Sequence, residues 1–251
     1  MRATTAQIDA LRRDGFVVAP GLFDAEAIQK ISAWADELES LPETAGRQMM
    51  YFEPSLLRPG ERVLQRIENF YPFHPGFAAL CDGEALCGSV SRLFGEPAVL
   101  FKDKINFKLP GGDGFKPHQD QQAGWSAYAD LFITAMVSID STTAENGCLE
   151  LCAGQHTRGL LGDEWKPLTD ADMRRMHARA VPTRAGDGVF FDSYTPHASG
   201  PNLTPDRRRV LYITYNRLSA ADHRVRYYAD KRKSFPPDIE RDPTKTYTFR
   251  V

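Results

Sequence analysis

The hydrophobic positions of this chain change period part-way along. In much of the first hundred residues they recur at helical spacing; beyond residue 98 they alternate. Residues 5–14 read as a short helix, and GFVVAPGLF (15–23) as a short strand broken at Pro20-Gly21. Asp24 suits the N-cap of a helix reaching about Leu41, because Ile28, Ile31, Ala35 and Leu38 form one apolar stripe. Residues 47–70 read as strand and loop ending in LQRIENF, and a helical pair over roughly 76–95 stops at Gly95, a suitable C-cap. AVLFKDKINFK then puts Val99, Phe101, Ile105 and Phe107 on one face and Lys102, Lys104, Asn106 and Lys108 on the other.

A turn-rich LPGGDGF, a short extended KPHQD and a buried strand LFITAMVSID (131–140) follow. ENGCLELC gives a turn and a strand, and residues 157–180 form a long insertion ending in a helix, DADMRRMHARA. DGVFFD (187–192) and RRVLYITYN (208–216) are the last strands, and the Pro-rich charged tail is expected to wrap the surface. Many short strands after a helical third predict a mainly β fold, an antiparallel barrel or sandwich with flanking helices. The length of 251 residues fits one domain: a helical support and lid region over 1–97, a barrel core over 98–217 and a C-terminal wrap over 218–251.

Composition narrows the function more than the fold. A formal net charge of −2 gives no general electrostatic reason to expect nucleic acid or an anionic membrane as partner. The N-terminal residues lack a signal-peptide pattern, and no apolar run is long enough to span a bilayer. Cys81, Cys87, Cys148 and Cys152 form no CxxC pair and no zinc-like spacing, which reads as reduced thiols in a cytoplasmic protein.

The chemistry concentrates in KPHQDQQAGW (116–125). Side chains at i and i+2 of an extended segment share a face, so His118 and Asp120 converge. An imidazole and a carboxylate are the N and O donors that suit a divalent metal of intermediate hardness, and one more histidine completes a facial triad with open positions. HxD alone is a weak signal. Among the other histidines, His177 lies in a polar helical run, His156 in a turn after a strand, and His74 and His223 in loops without a partner pattern. His197 sits between two strands, at a barrel rim, and is the third ligand of choice. Ser199 and Arg208 follow it, and an arginine matches a carboxylate with two prongs. On RRVLYITYN, Arg208 shares parity with Tyr212, Thr214 and Asn216, the more polar face; Arg207 and Arg209 read as an exposed basic turn.

Taken together, DGFVVAPGLFDAEAI, FKDKINFKLPG, HQD, ENGCLELCAGQHTRG and HASGPN with its later arginine resemble the phytanoyl-CoA dioxygenase family of iron(II)/2-oxoglutarate oxygenases over most of the chain. The resemblance implies a double-stranded β-helix, a jelly-roll or cupin-like barrel. It implies iron(II) on His118, Asp120 and His197, with 2-oxoglutarate and O2 as cosubstrates. It matches Arg208 and Ser199 to the pair that holds the distal carboxylate of 2-oxoglutarate, and Lys102 and Asn106 to positions that reach the cosubstrate. Thr134 is a weaker match. Trp125 lies near an aromatic over the site in relatives, and reads equally as a loop anchor. Halogenating relatives replace the carboxylate; Asp120 is present, so hydroxylation is expected, with succinate and CO2 released.

Substrate residues are sought in YFEP and LQRIENF. Arg66, Glu68 and Asn69 cluster there, with Lys104 and Tyr194 as companions, and Arg66, Trp125 and Tyr194 are the leading candidates. The mixture suggests a small polar or zwitterionic metabolite, with an amino acid derivative or an aminophosphonate fitting better than a long acyl chain. The rival reading is a non-catalytic cupin-like protein that binds a metal or a small molecule. The sequence sets no oligomeric state.

Overall fold

A computed structural model describes residues 3–248. Two antiparallel sheets carry the fold. The larger runs, in spatial order, β1 (Phe16–Ala19), β9 (Gly188–Asp192), β6 (Phe132–Ser138), β11 (Arg208–Arg217), β4 (Ala98–Lys108), β3 (Arg62–Glu68) and β2 (Met49–Pro54). The smaller runs β5 (Phe115–His118), β10 (His197–Ser199), β7 (Leu149–Leu151) and β8 (Arg179–Val181). Three strands from the N-terminal third thus join the same sheet as the core strands.

Four helices, α1 (Thr5–Asp14), α2 (Ala25–Ser40), α3 (Pro75–Asp82) and α4 (Ser89–Phe94), belong to that same third. Their apolar residues, Leu11, Ile31, Ala35, Leu38, Phe77 and Val90 among them, share one core with Ile67, Ile105, Ile133, Leu211 and Ile213 of the larger sheet. The Asp24 carboxylate accepts from the Ala27 amide and starts α2, and Gly95, at φ 78°, ends α4.

The opposite face of the larger sheet meets the smaller one through Met136, Val189, Phe191, Val210 and Tyr212 against Leu149 and Leu151. The result is a jelly roll of two facing sheets, whose ladders do not join into a closed barrel.

Two departures from simple periodicity matter for the site. Thr214 pairs with Lys102 but Tyr215 pairs with Leu100, so Phe101 is an extra residue in β4. This bulge re-aims it. Leu100 joins the helix-side core, while Phe101 joins a separate cluster with Trp125, Phe132, Tyr51 and Tyr227. Phe101 therefore leaves the face of Ile105 and Phe107 that strict alternation gives it.

The tail contributes a helix, α6 (Arg224–Ser234), after the short α5 (Asp170–Arg175) of the insertion. Tyr228 on α6 accepts from the Asp103 amide at 3.0 Å and lies 3.0 Å from its carboxylate, which ties the helix to β4.

Candidate metal centre

His118 ends β5, and the chain stays extended through Gln119 before Asp120 opens a 3-10 turn. The i, i+2 relation thus survives one residue past the strand. Three buried glutamines hold this turn. Gln119 donates to the carbonyls of Gly159 and Tyr194 and accepts from the Leu161 amide. Gln121 donates to the Ala129 carbonyl, and Gln122 to those of Asp163 and Lys166. The long insertion is thereby fastened to the HQD segment. Gly124, at φ 73°, lets the chain turn again, and a Cβ there would lie 2.4 Å from the Trp165 ring.

His197 begins β10 and is the register partner of His118. The two rings lie 4.3 Å apart between centroids. His118 Nδ1 is 2.6 Å from the Lys116 carbonyl and His197 Nδ1 is 2.9 Å from the Thr195 carbonyl. Each Nδ1 therefore carries the proton, which leaves the Nε2 lone pairs free. Those atoms stand 3.8 and 3.9 Å from Asp120 Oδ1. One donor atom from each residue lies within 4.8 Å of the others.

Burial pushes His118 down to about 3, helped by the neighbouring His197, and lowers His197 too. Burial alone would raise Asp120, but the two imidazoles and Lys102 and Lys104 hold it below the usual carboxylate range. Two neutral imidazoles and a carboxylate are the forms a divalent metal requires. Asp120 Oδ2 also accepts from the Thr134 hydroxyl at 3.2 Å, and Thr134 pairs with Thr214 at 2.9 Å.

The triad opens on a cleft with about 430 Å³ of empty space. Lys102, Asn106, Ser199 and Trp125 line it among the residues singled out from sequence. Arg208 stands just beyond, on the same sheet face. Its side chain is 1% exposed, Nη2 donates to the Gly147 carbonyl, and Nε and Nη1 have no partner among the described residues. Gly147, at φ 75°, packs its backbone against the Gly200 segment; a Cβ there would fall 2.1 Å from the Gly200 carbonyl oxygen. Burial lowers the guanidinium's pKa. A buried guanidinium with free N–H groups is costly unless an anion completes it, so the site fits a dicarboxylate.

Arg66 and Tyr194 lie away from the cleft lining. Arg66 is buried, pairs with Glu68 at 2.8 Å and stacks 4.0 Å over the Tyr51 ring. Tyr194 offers its carbonyl to Gln119. Arg209, expected in an exposed turn, is instead 1% exposed. It is fixed by Asp140 at 2.9 and 3.0 Å, Asp36 at 2.7 Å and the Ser32 hydroxyl at 2.8 Å, because its parity points it at α2.

Sequence reasoning gave no role to Lys108, Tyr212 or Phe115. Lys108 Nζ donates to the Ser199 hydroxyl at 2.8 Å, opposite Arg208 in the ladder, and burial with Arg208 nearby pushes it down to about 6. Its place on the polar face of FKDKINFK was the available signal, as was the parity of Tyr212 with Arg208. Nothing in the sequence marked Phe115.

Comparison with known proteins gives these features a class. Residues 11–210 match the family model described as Phytanoyl-CoA dioxygenase (PhyH). The chain belongs to that family, and it is an iron(II)- and 2-oxoglutarate-dependent dioxygenase. It is 42% identical over 246 residues to a 2-aminoethylphosphonate dioxygenase from uncultured bacterium HF130_AEPn_1, covering 98% of this chain and 94% of that one. It is 37% identical over 235 residues to a methylphosphonate hydroxylase of Gimesia maris, covering 92% and 88%. The fold matches EctD from S. alaskensis, crystallised with 2-oxoglutarate and 5-hydroxyectoine, at a TM-score of 0.74 and 21% identity over 87% of this chain and 77% of that one. No helix among the described residues is long and apolar enough to cross a membrane.

Proposed function

We propose that this dioxygenase hydroxylates a small phosphonate, with iron(II) held by His118, Asp120 and His197 and the distal carboxylate of 2-oxoglutarate held by Arg208 and Ser199. Bound iron supplies the oxygen activation, coupled to loss of CO2 from 2-oxoglutarate, that hydroxylates an unactivated C–H bond and leaves succinate. The chain's own residues orient and shield. Backbone carbonyls fix both imidazole tautomers, and Thr134 fixes the Asp120 carboxylate. Arg208 has two nitrogens, Nε and Nη1, without a partner among the described residues and open to the cosubstrate, with Lys108 beside Ser199 as a second cation. Asn106 and Lys104 line the way from there to the triad.

The observation that carries the reading is the meeting of the three donor atoms within 4.8 Å beside a cleft that ends at a half-partnered guanidinium. The phosphonate class is supported by the two relatives above. Four unpaired thiols match a reducing cytoplasmic setting. The test is succinate release by the iron-loaded protein in air with methylphosphonate or 2-aminoethylphosphonate. Release that rises with at least one phosphonate, with hydroxylated product in step, is expected. Release indifferent to both removes the substrate class.

A further inference from the structure

Inward-facing residues of β4 place three lysines along the cleft, and their surroundings divide them. Lys108 Nζ bonds Ser199 at 2.8 Å at the Arg208 end, 5.7 Å from the Phe115 ring centre. Lys104 Nζ shares that ring at 5.1 Å and lies 4.7 Å from the Tyr212 ring. Both therefore border one track, walled by Phe115 and Tyr212, that runs from Arg208 toward the triad. Lys102 is elsewhere. Its Nζ lies 5.5 Å from the Trp125 ring and 5.8 Å from the Tyr227 ring, in the aromatic cluster that the Phe101 bulge completes. In the ladder it stands level with Thr214 and Thr134, the pair that holds Asp120. Six residues of strand separate it from Lys108, about 20 Å of backbone. A five-carbon diacid held at Arg208 and Ser199 would lie along the Phe115–Tyr212 track, which Lys102 does not border.

The charges around Lys102 are unbalanced. Arg66, Lys104 and Lys231 join it, against two buried carboxylates, Glu68 and Asp120, the second of which faces the two imidazoles. Glu68 is already engaged by Arg66 at 2.8 Å and by Lys231 of α6. Lys102 has no ion-pair partner within 4 Å among the described residues, although it is half-buried in the cleft wall.

We infer that Lys102 is the specificity-determining cation for the prime substrate, binding its phosphonate oxygens between Trp125 and Tyr227, rather than a contact of 2-oxoglutarate. This rests on the phosphonate reading and adds which group of the chain selects the anion. An ammonium on Lys102 makes charge-assisted hydrogen bonds to a phosphonate that the diacid at Arg208 does not compete for.

The test uses the iron(II)-loaded protein without oxygen, comparing wild type with Lys102→Gln and Lys102→Arg. The visible band formed with 2-oxoglutarate reports cosubstrate binding; its shift on adding methylphosphonate or 2-aminoethylphosphonate reports substrate. Expected is an unchanged 2-oxoglutarate midpoint in all three, and a phosphonate midpoint raised roughly tenfold or more in Lys102→Gln. Lys102→Arg should recover most of that loss. A raised 2-oxoglutarate midpoint with unchanged phosphonate binding overturns the assignment and returns Lys102 to the cosubstrate. Wild-type protein that binds neither phosphonate overturns the substrate class itself and this inference with it. Wild-type binding that Lys102→Gln retains in full overturns the inference alone.

Discussion

Arg208 and Arg209 are neighbours in sequence, and both are 1% exposed, yet they do opposite work. Arg209 points to the helix side of the sheet, where Asp140, Asp36 and Ser32 satisfy its guanidinium. Arg208 points between the sheets, where, among the described residues, the Gly147 carbonyl is its one hydrogen-bond acceptor and two of its N–H-bearing nitrogens have no partner. A fully satisfied buried charge is part of the scaffold. An unsatisfied one is a position the fold leaves for a ligand, because nothing else offsets its desolvation. The same contrast separates Glu68, closed by Arg66 and Lys231, from Asp120, whose Oδ1 faces two imidazole lone pairs.

The hardest test of that contrast is to remove a metal donor. His118→Ala should abolish iron retention and phosphonate-dependent succinate release, while the thermal midpoint of the metal-free protein moves little. A large drop in that midpoint would make His118 scaffold.

Next come the two arginines. Arg208→Met should raise the KM for 2-oxoglutarate roughly hundredfold, from the loss of two charge-assisted bonds, and leave metal-free stability unchanged or better. Arg209→Met should do the reverse. Stability should fall by about 3 kcal/mol, the low end for a broken buried pair because Asp36 is half-exposed, with the KM of the folded fraction unchanged. Chemical denaturation and steady-state kinetics on both variants read the difference, and similar profiles would erase it.

Thr134→Val removes the bond to Asp120 Oδ2 and should weaken iron binding by roughly tenfold, measured by competition with a chelator.

The smallest effect concerns Lys108, pushed down to about 6 by burial and Arg208. It is largely neutral at pH 7 without cosubstrate, and a carboxylate alongside restores its charge. Binding then takes up a proton, so 2-oxoglutarate affinity should fall as pH rises above about 6, by up to about tenfold per pH unit. The unfolded chain keeps that proton up to the ordinary lysine range, so Lys108 makes metal-free stability rise with pH across the same window. Lys108→Met should flatten both slopes, and anaerobic titrations at several pH values would show whether it does.

Much of this is legible in the sequence. Period-two alternation put Lys102, Lys104, Asn106 and Lys108 on the cleft side of β4, and parity on β11 separated Arg208 from its neighbours. The spacing in HQD carried the convergence of His118 and Asp120 even though the strand stops at His118. What escaped depends on long-range pairing. The Phe101 bulge exists only because β4 pairs with β11 out of step at Thr214 and Tyr215. Helix α6 reads as a charged tail, RVRYYADKRKS, and becomes a wall only through Tyr228 on Asp103 and Lys231 on Glu68. Parity also gives a face and not a reach. Arg66 is on the cleft side of its strand, but its guanidinium is spent on Glu68 and Tyr51.

Helix α6 has one more implication. Tyr227 flanks Lys102 and Lys231 engages Glu68 from a segment whose chain link to the jelly roll is the short stretch after β11, whereas the three candidate metal donors sit on β5, its following turn and β10. A nick by a protease between residues 218 and 223 would cut no strand that carries a donor. In such a clipped protein α6 would stay in place through side-chain contacts, Tyr228 on Asp103 and Lys231 on Glu68 among them, so the flank of Lys102 could be loosened separately from the triad.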